Sequence, residues 1–364
     1  MSAEEKEETR EPRGLYERLK TEERGWELWA KLGVALLVAQ LLAFIVAFLK
    51  LGQPSVYAYS VAIPLMGFMT FPLTFWGLLR AIFRPPIFRM SRTYGFLALV
   101  VVGYFGNQPT FAAPVSTTEW ESSHEYLLPF EGPWVTLAGG DEKEVNYHVT
   151  TPAHRWAYDF APLVDGRRYR GDGSELEDHH CYGREVYAPA GGVVIQALGG
   201  EPDHQPGKFD PNNILGNHVV VRVDDEEYLF LAHLKRGSLE VRPGDVVEQG
   251  QLVARCGNSG RSYTPHLHVH LQNQRGFPMA EGLPLRFSGY RADGDYVALG
   301  MPQGSPDYEK VVGQIVESTR QPAEHRVDSS EAVGVEEEGE PGEVEEETPQ
   351  ESVEAVNPDQ DPGL

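Results

Sequence analysis

Cysteine is almost missing from this chain: Cys181 and Cys256 are the only two in 364 residues. Two thiols do not make a disulfide framework, and without a Cys-x-x-Cys pair nothing suggests a structural zinc site. The two could pair if their domain lies outside the cytoplasm, although neither spacing nor context demands it. Basic residues are sparse as well, 31 Lys and Arg against 54 Asp and Glu, for a formal charge of −23. No basic stripe forms, which argues against a nucleic-acid partner. After Arg326 there is no basic residue at all, while Glu336-Glu337-Glu338 and Glu345-Glu346-Glu347 recur among Pro, Gly and Ser. Residues 326–364 can bury too little apolar surface to offset their ordering entropy, and a disordered acidic tail is expected there.

What the first third does have is long apolar runs. Residues 1–27 form a charged leader in which Glu is mixed with Lys and Arg. Leu32–Leu49 follows, apolar except for Gln40 and bracketed by Lys31 and Lys50, long enough to cross a hydrocarbon core as a helix. Val56–Leu79 carries no charge, and its Pro64 and Pro72 would break a soluble helix but are tolerated in a membrane span. A third stretch begins at Tyr94 with the run Phe96–Val102, its outer half weakened by Asn107, Gln108 and Pro109. Residues 28–114 therefore read as a membrane region with two to three transmembrane helices. The long charged leader and the lack of a small-residue cleavage site argue against a signal peptide. Arg84, Arg89 and Arg92, with Arg80 at the edge, place the loop between the second and third spans in the cytoplasm. Three spans then deliver everything after Pro114 to the outside; two would leave it in the cytoplasm.

From Trp134 onward the pattern changes to short β-rich runs bounded by Gly, Pro, Asn and Asp. They are Val186–Ile195, His218–Val223, Tyr228–His233, Val246–Val247, Leu252–Cys256 and His266–Gln272. Short connections, apart from two glycine- and acid-rich insertions near residues 165–182 and 199–216, fit a compact antiparallel sheet or sandwich. There is neither a helical period of useful length nor an internal repeat.

The segment Pro265-His266-Leu267-His268-Val269-His270-Leu271 carries the most chemistry. In a strand, alternate side chains share a face, so three imidazoles stand on one side and an apolar core face on the other. Neutral imidazole is the commonest metal ligand near pH 7, and a zinc or similar divalent ion is the natural inference. His233 ends the apolar run Tyr228–Ala232, where a polar side chain can reach a cleft. Asp159 sits among apolar neighbours in His154-Arg155-Trp156-Ala157-Tyr158-Asp159, and a buried carboxylate needs a cation, a metal or a hydrogen-bond partner. One His, one Asp and one strand His satisfy the three-ligand count of a catalytic zinc that keeps a place for water.

Residues His148 to Pro284 resemble the lysostaphin- and LytM-type zinc endopeptidases of cell-wall metabolism. The motifs are a His and Asp pair (His148 or His154, with Asp159) and Ala232-His233-Leu234. Val241-Arg-Pro-Gly-Asp-Val-Val-Glu-Gln-Gly-Gln-Leu-Val, Gly257-Asn-Ser-Gly and Pro265-His-Leu-His complete them. The resemblance implies an all-β, LytM-like metallopeptidase domain over residues 115–325, an antiparallel sheet or sandwich preceded by the α-helical membrane region. It implies Zn2+ held by a first His, Asp159 and His268, with His233 and His266 as catalytic residues stabilising charge on the tetrahedral intermediate. His270 would orient a ligand from behind, or be incidental. The expected substrate is a peptidoglycan peptide, cut by a multi-pass protein of the bacterial cytoplasmic membrane whose peptidase domain is extracytoplasmic. The lipid bilayer is the other expected partner.

One departure concerns the first ligand. The family places it four positions before the Asp, where this chain has Arg155. His154 is one place too early and would serve only through a bulge. His148 lies beyond the Thr150-Thr151-Pro152 turn and can fold back; it is the favoured ligand, with His154 the alternative. Asp178-His179-His180-Cys181 is metal-capable, but adjacent imidazoles on an extended chain diverge. Two rivals remain: an inactive LytM-like regulator of other wall hydrolases, and a biotinyl- or lipoyl-type carrier. The first requires lost ligands, whereas Asp159, His233, His266 and His268 are present. The second requires an exposed lysine at the hairpin tip, and Val241–Val253 contains no lysine.

Overall fold

The apolar runs of the first third become three packed helices, α1 (Leu28–Phe48), α2 (Gln53–Phe83) and α3 (Met90–Asn107). The computed structural model describes residues 25–84, 89–107, 112–305 and 313–319. Nearly all of the charged leader, and the whole acidic tail, lie outside the described residues. The first helix starts one turn before the expected span, where Trp29 and Ala30 pack against Leu99 of α3, and the second extends past its expected span at both ends. Within α2, Ala58–Ala62 winds as a π turn just ahead of Pro64, and Pro72 is carried inside the helix. Gln40, the one polar residue of the first run, is buried and donates from Nε2 to the Val102 carbonyl of α3 at 3.1 Å. Gly95 lets α3 approach α1, since a Cβ there would meet the Ala30 Cβ at 2.7 Å. Among the described residues, α1 and α2 are long and apolar enough to cross a bilayer. The third helix, of 18 residues with Arg92 near its start, is not.

Thirteen strands follow: β1 (Trp134–Ala138), β2 (Tyr158–Pro162), β3 (Glu185–Tyr187), β4 (Gly192–Leu198), β5 (Asn217–Asp224), β6 (Glu227–Leu234), β7 (Val246–Val247), β8 (Leu252–Arg255), β9 (Leu267–Gln272), β10 (Gly282–Leu283), β11 (Phe287–Ala292), β12 (Asp295–Gly300) and β13 (Ile315–Ser318). Eleven form one antiparallel sheet in the order β12-β11-β13-β1-β2-β9-β6-β5-β4-β7, with β10 beside β9. The remaining pair, β3 and β8, is a separate two-stranded sheet. The run Val186–Ile195, expected as one strand, is therefore two strands in two sheets. Pro189 has no N–H for a ladder, and Gly191-Gly192 lets the backbone turn between them.

Alternation fixes which face is core. Leu267, Val269 and Leu271 of β9, Leu229 and Leu231 of β6, and Tyr158 and Phe160 of β2 all enter the main apolar core. Each such fully buried side chain contributes about 1.5–3 kcal/mol. Cys181 and Cys256 lie in the same core and form a disulfide across 75 residues. The opposite face of the central strands carries the polar residues and a small cluster of Leu215, Val220, Phe230 and Ala232.

Candidate metal centre

The centre is built where β2, β9 and β6 lie side by side. In register, Asp159 faces His268, and His268 faces Ala232 on its other side. Because Tyr158 and Phe160 point into the core, Asp159 must point the other way, onto the face that holds His268 and His270. Asp159 is completely buried. Its Oδ1 lies 2.8 Å from His268 Nδ1 and 3.5 Å from His266 Nε2. Its Oδ2 lies 3.1 Å from His148 Nε2 and accepts from the Tyr147 hydroxyl.

His148 arrives from a 3-10 turn, Tyr147–Thr150, rather than from a strand. Asn146 caps that turn: its Oδ1 accepts from the His148 N–H, while its Nδ2 donates to the carbonyls of Gly140 and Ala157. A second 3-10 turn, Pro152–His154, follows at once, so the straight strand that would have pointed His154 away from Asp159 does not exist. His154 is buried, its ring stacked 4.6 Å from Phe277, set edge-on 4.6 Å from the His270 ring and tilted 4.8 Å from that of His268. Two of the three described groups of metal-capable atoms lie here, His148–Asp159–His268 and His154–His268–His270, the atoms of each within 4.8 Å of one another; the third, His124–Asp224–Glu227, includes exposed His124 and Asp224. Asp178, His179 and His180 join no such group among the described residues; the His179 ring bonds the Gly173 carbonyl at 3.0 Å.

His233 and His266 complete the cleft. His233 closes β6 with a left-handed backbone, φ 60°, a costly conformation for a side-chain-bearing residue that persists only where neighbours enforce it. Its N–H donates to Leu215, its carbonyl accepts from Gly257, and its Nδ1 donates to the Ser259 carbonyl at 3.0 Å. The Gly257-Asn-Ser-Gly segment therefore aims His233. His266 precedes β9, and its Nδ1 donates to the Thr264 carbonyl at 2.8 Å. Both rings line a cavity of about 370 Å³ together with His148, His154, Asp159 and His268. Tyr147, Thr150, Thr151, Ile214, Arg261 and Tyr263 form its walls.

Residues 176–279 match peptidase family M23. This stretch is an M23 peptidase domain. Its bounds take in His233, His266, His268 and His270 but stop short of His148, His154 and Asp159. A curated relative, endolysin 2638A of Staphylococcus phage 2638A, is 33% identical over 89 residues, 24% of this chain and 16% of that protein. The chain thus spans under a fifth of the relative it matches. Among solved structures, the catalytic domain of a point mutant of the prophage-encoded M23 protein EnpA from Enterococcus faecalis is 21% identical. That alignment covers 43% of this chain and 93% of that one, with a TM-score of 0.29. Lysostaphin from Staphylococcus simulans is 18% identical over 44% of this chain and 52% of its own, with a TM-score of 0.26.

Electrostatics around this centre separate the imidazoles. Burial opposes charge on Asp159, but His148 and His266 outweigh it and hold the carboxyl well below its usual range. Burial, reinforced by neighbouring rings, pushes His154, His233 and His270 well below the ordinary 6.5, and burial takes His268 to about 4. These four are neutral at pH 7. His266 differs: burial again disfavours its charge, but the Asp159 carboxylate raises it overall.

The hydrogen bonds also assign tautomers. Gln272 Nε2 donates to the Gln274 carbonyl, which leaves Oε1 to accept from His270 Nε2 at 3.2 Å. His270 Nδ1 then accepts from His268 Nε2 at 3.0 Å. That tautomer leaves His268 Nδ1 free to bind a metal; the same Nδ1 lies at hydrogen-bond distance, 2.8 Å, from Asp159 Oδ1. His148 Nε2 is likewise buried without a hydrogen bond of acceptable geometry. Two imidazole nitrogens, His148 Nε2 and His268 Nδ1, converge on the Asp159 carboxylate, a donor set suited to zinc.

Sequence reasoning named every imidazole of this centre. It missed Tyr147, whose hydroxyl reaches Asp159, and Gln272, which orders the His270–His268 pair. Tyr147 stands inside Asn146-Tyr147-His148, but nothing in one chain tells a capped turn's tyrosine from a surface one.

Proposed function

We propose that the protein is a membrane-anchored zinc metallo-endopeptidase that hydrolyses peptide bonds of peptidoglycan. The observation that carries this reading is the convergence of His148 Nε2 and His268 Nδ1 on the buried Asp159 carboxylate. His148, Asp159 and His268 would hold the metal. When bound there, zinc polarises a peptide carbonyl and lowers the pKa of a bound water to about 7.

The protein's own groups supply the rest. With Nδ1 of His233 spent on the Ser259 carbonyl and ring neutral, its Nε2 is a proton acceptor at the cleft. His266, raised by Asp159, is the ring suited to carry a proton and to stabilise negative charge that develops on a peptide oxygen. His270 holds the His268 tautomer that exposes Nδ1.

The wall as substrate follows the M23 family match and the endolysin likeness. Extracytoplasmic placement rests on three features of this chain. Glu27, Arg80, Arg89 and Arg92 cluster at one end of the helices, with Arg92 at 2.6 Å from Glu27. The β-domain is bonded to the other end, and it contains a disulfide, which persists in oxidising compartments. This arrangement requires α3, shorter and less apolar than α1 and α2, to serve as a third span. Metal analysis of the purified full chain, paired with digestion of purified cell walls before and after chelation, tests the function. A chain that folds and binds zinc yet cuts no wall peptide would remove it.

A further inference from the structure

The turn that carries His148 is fastened to the helices. Ala113, in the segment after α3, donates its N–H to the Val149 carbonyl at 2.6 Å. The Tyr59 hydroxyl of α2 donates to the Thr150 carbonyl at 3.2 Å. Nearby, Gln53 Nε2 donates to the Met279 carbonyl, and Ser116 donates from N and Oγ to Glu281 at 2.8 and 2.6 Å. Lys50 Nζ, at the end of α1, reaches Thr118 Oγ1 at 3.4 Å.

The depth of these contacts follows from helix length. At 1.5 Å per residue the 31 residues of α2 extend about 46 Å, whereas a hydrocarbon core is about 30 Å thick. About 16 Å is left over, and its outer part falls on the first turns of α2. Tyr59 stands about 9 Å below Gln53 on this count, at the headgroup level where tyrosines gather. Tyr57 and Tyr104, both exposed, mark the same level on α2 and α3. Lys50 marks where charge resumes. Thr150, bonded to Tyr59, is itself a wall of the metal cleft.

We propose that the cleft takes its peptide from the bilayer surface, and that the substrate is a wall-type peptide still attached to a lipid carrier. The proposal rests on the peptidase reading and narrows it. A cleft whose wall stands among the headgroups meets a lipid-held peptide in two dimensions, with its reactive bonds a short spacer away.

The test uses the zinc-loaded full chain in phosphatidylethanolamine–phosphatidylglycerol vesicles. One cross-linked stem peptide is offered free, on a diacyl anchor through a spacer of about 10 Å, and on the same anchor through about 100 Å. Purified walls and a single-pass helical peptide with an alanine- and glycine-rich outer segment complete the set. The short-spacer peptide should be cut with kcat/KM about tenfold or more above the long-spacer and free forms, since the anchor alone raises local concentration for both tethered forms. Equal rates for the two spacers, faster cutting of walls, or cutting of the helical peptide alone would overturn the proposal and leave peptidase activity standing. If no probe is cut, the peptidase reading falls and takes this one with it. A readout independent of turnover is a bimane label at Thr150→Cys with headgroup-nitroxide lipids. Quenching comparable to a label at Tyr57→Cys is expected; quenching only of the Tyr57→Cys label would place the cleft wall away from the lipid.

Discussion

His268 Nδ1 lies 2.8 Å from Asp159 Oδ1 although 109 residues separate the two in the chain. Strand register alone brings them together, since β2 and β9 pair Asp159 with His268 directly. With its proton on Nε2, His268 would turn a lone pair toward the carboxylate, and a cation held by both relieves that repulsion. Replacing Asp159 by Asn keeps the shape and removes the charge. Zinc retained by the purified variant should fall at least about 100-fold in affinity, by metal titration, and wall digestion should vanish with it. Undiminished zinc binding would mean the metal sits elsewhere.

The two candidate first ligands separate cleanly by substitution. His148→Ala removes the ring beside Asp159 and should abolish zinc retention. His154→Ala removes a ring beside His270 and Phe277 and should leave bound zinc near one per chain, at a stability cost of about 1–3 kcal/mol for the emptied space. Elemental analysis of both proteins decides; equal retention would sink the ligand set.

His233→Ala and His266→Ala should behave differently from the ligand variants. Both rings line the cavity, and the proposed ligand set of His148, Asp159 and His268 uses neither. Each variant should keep its zinc and lose about 100- to 1,000-fold in kcat, the scale seen when one stabilising donor is removed. Loss of metal in either would make that residue a ligand.

How far the centre was legible follows from which constraints are local. Alternation along His266–Leu271 put His268 and His270 on one face and Leu267, Val269 and Leu271 on the other, and the sheet obeys it, because strand period is a property of the backbone. For Asp159 the sequence showed only a carboxylate among apolar neighbours; the structure turns it away from Tyr158 and Phe160, which enter the core. Alternation failed between Val186 and Ile195, where Pro189 and Gly191 interrupt a run that is apolar throughout. It was equally silent about His154, since two consecutive 3-10 turns replaced the strand assumed there. The pairing of Cys181 with Cys256 and the contact of Tyr59 with Thr150 join residues far apart in sequence, and no spacing rule encodes either.

Stability of the metal-free protein should depend on pH with a definite sign. The folded domain keeps His154, His233, His268 and His270 neutral below the pH at which the unfolded chain protonates them. Their depressed values make the folded state bind fewer protons, so stability is full above about 6.5 and falls as pH drops below it. His268, taken from 6.5 to about 4, alone accounts for about 3 kcal/mol at the acid end. His266 acts oppositely: its raised value favours the folded state below 6.5 and is lost as pH rises through it. Four rings outweigh one. Denaturant midpoints of the chelated protein should therefore fall between pH 7 and pH 4, before Asp159 titrates. A flat profile would contradict the buried, neutral imidazoles.

The orientation in the membrane makes the last prediction, and it can be read without any activity. Arg80, Arg89 and Arg92 surround Glu27 at one end of the helices, and basic residues in short loops are retained on the cytoplasmic side. Lys50, Gln53 and Tyr59 contact the β-domain at the other. With both native cysteines in a disulfide, a single added thiol reports its own side. Gly25 and Gly276 are exposed, and a Cβ at either meets nothing within 4 Å, so neither substitution should disturb packing. On intact cells, a membrane-impermeant maleimide should label Gly276→Cys and spare Gly25→Cys until the membrane is opened. Labelling of Gly25→Cys alone would invert the protein. It would put the metal centre in the cytoplasm, away from any wall, and would leave the disulfide between Cys181 and Cys256 in a compartment that reduces it.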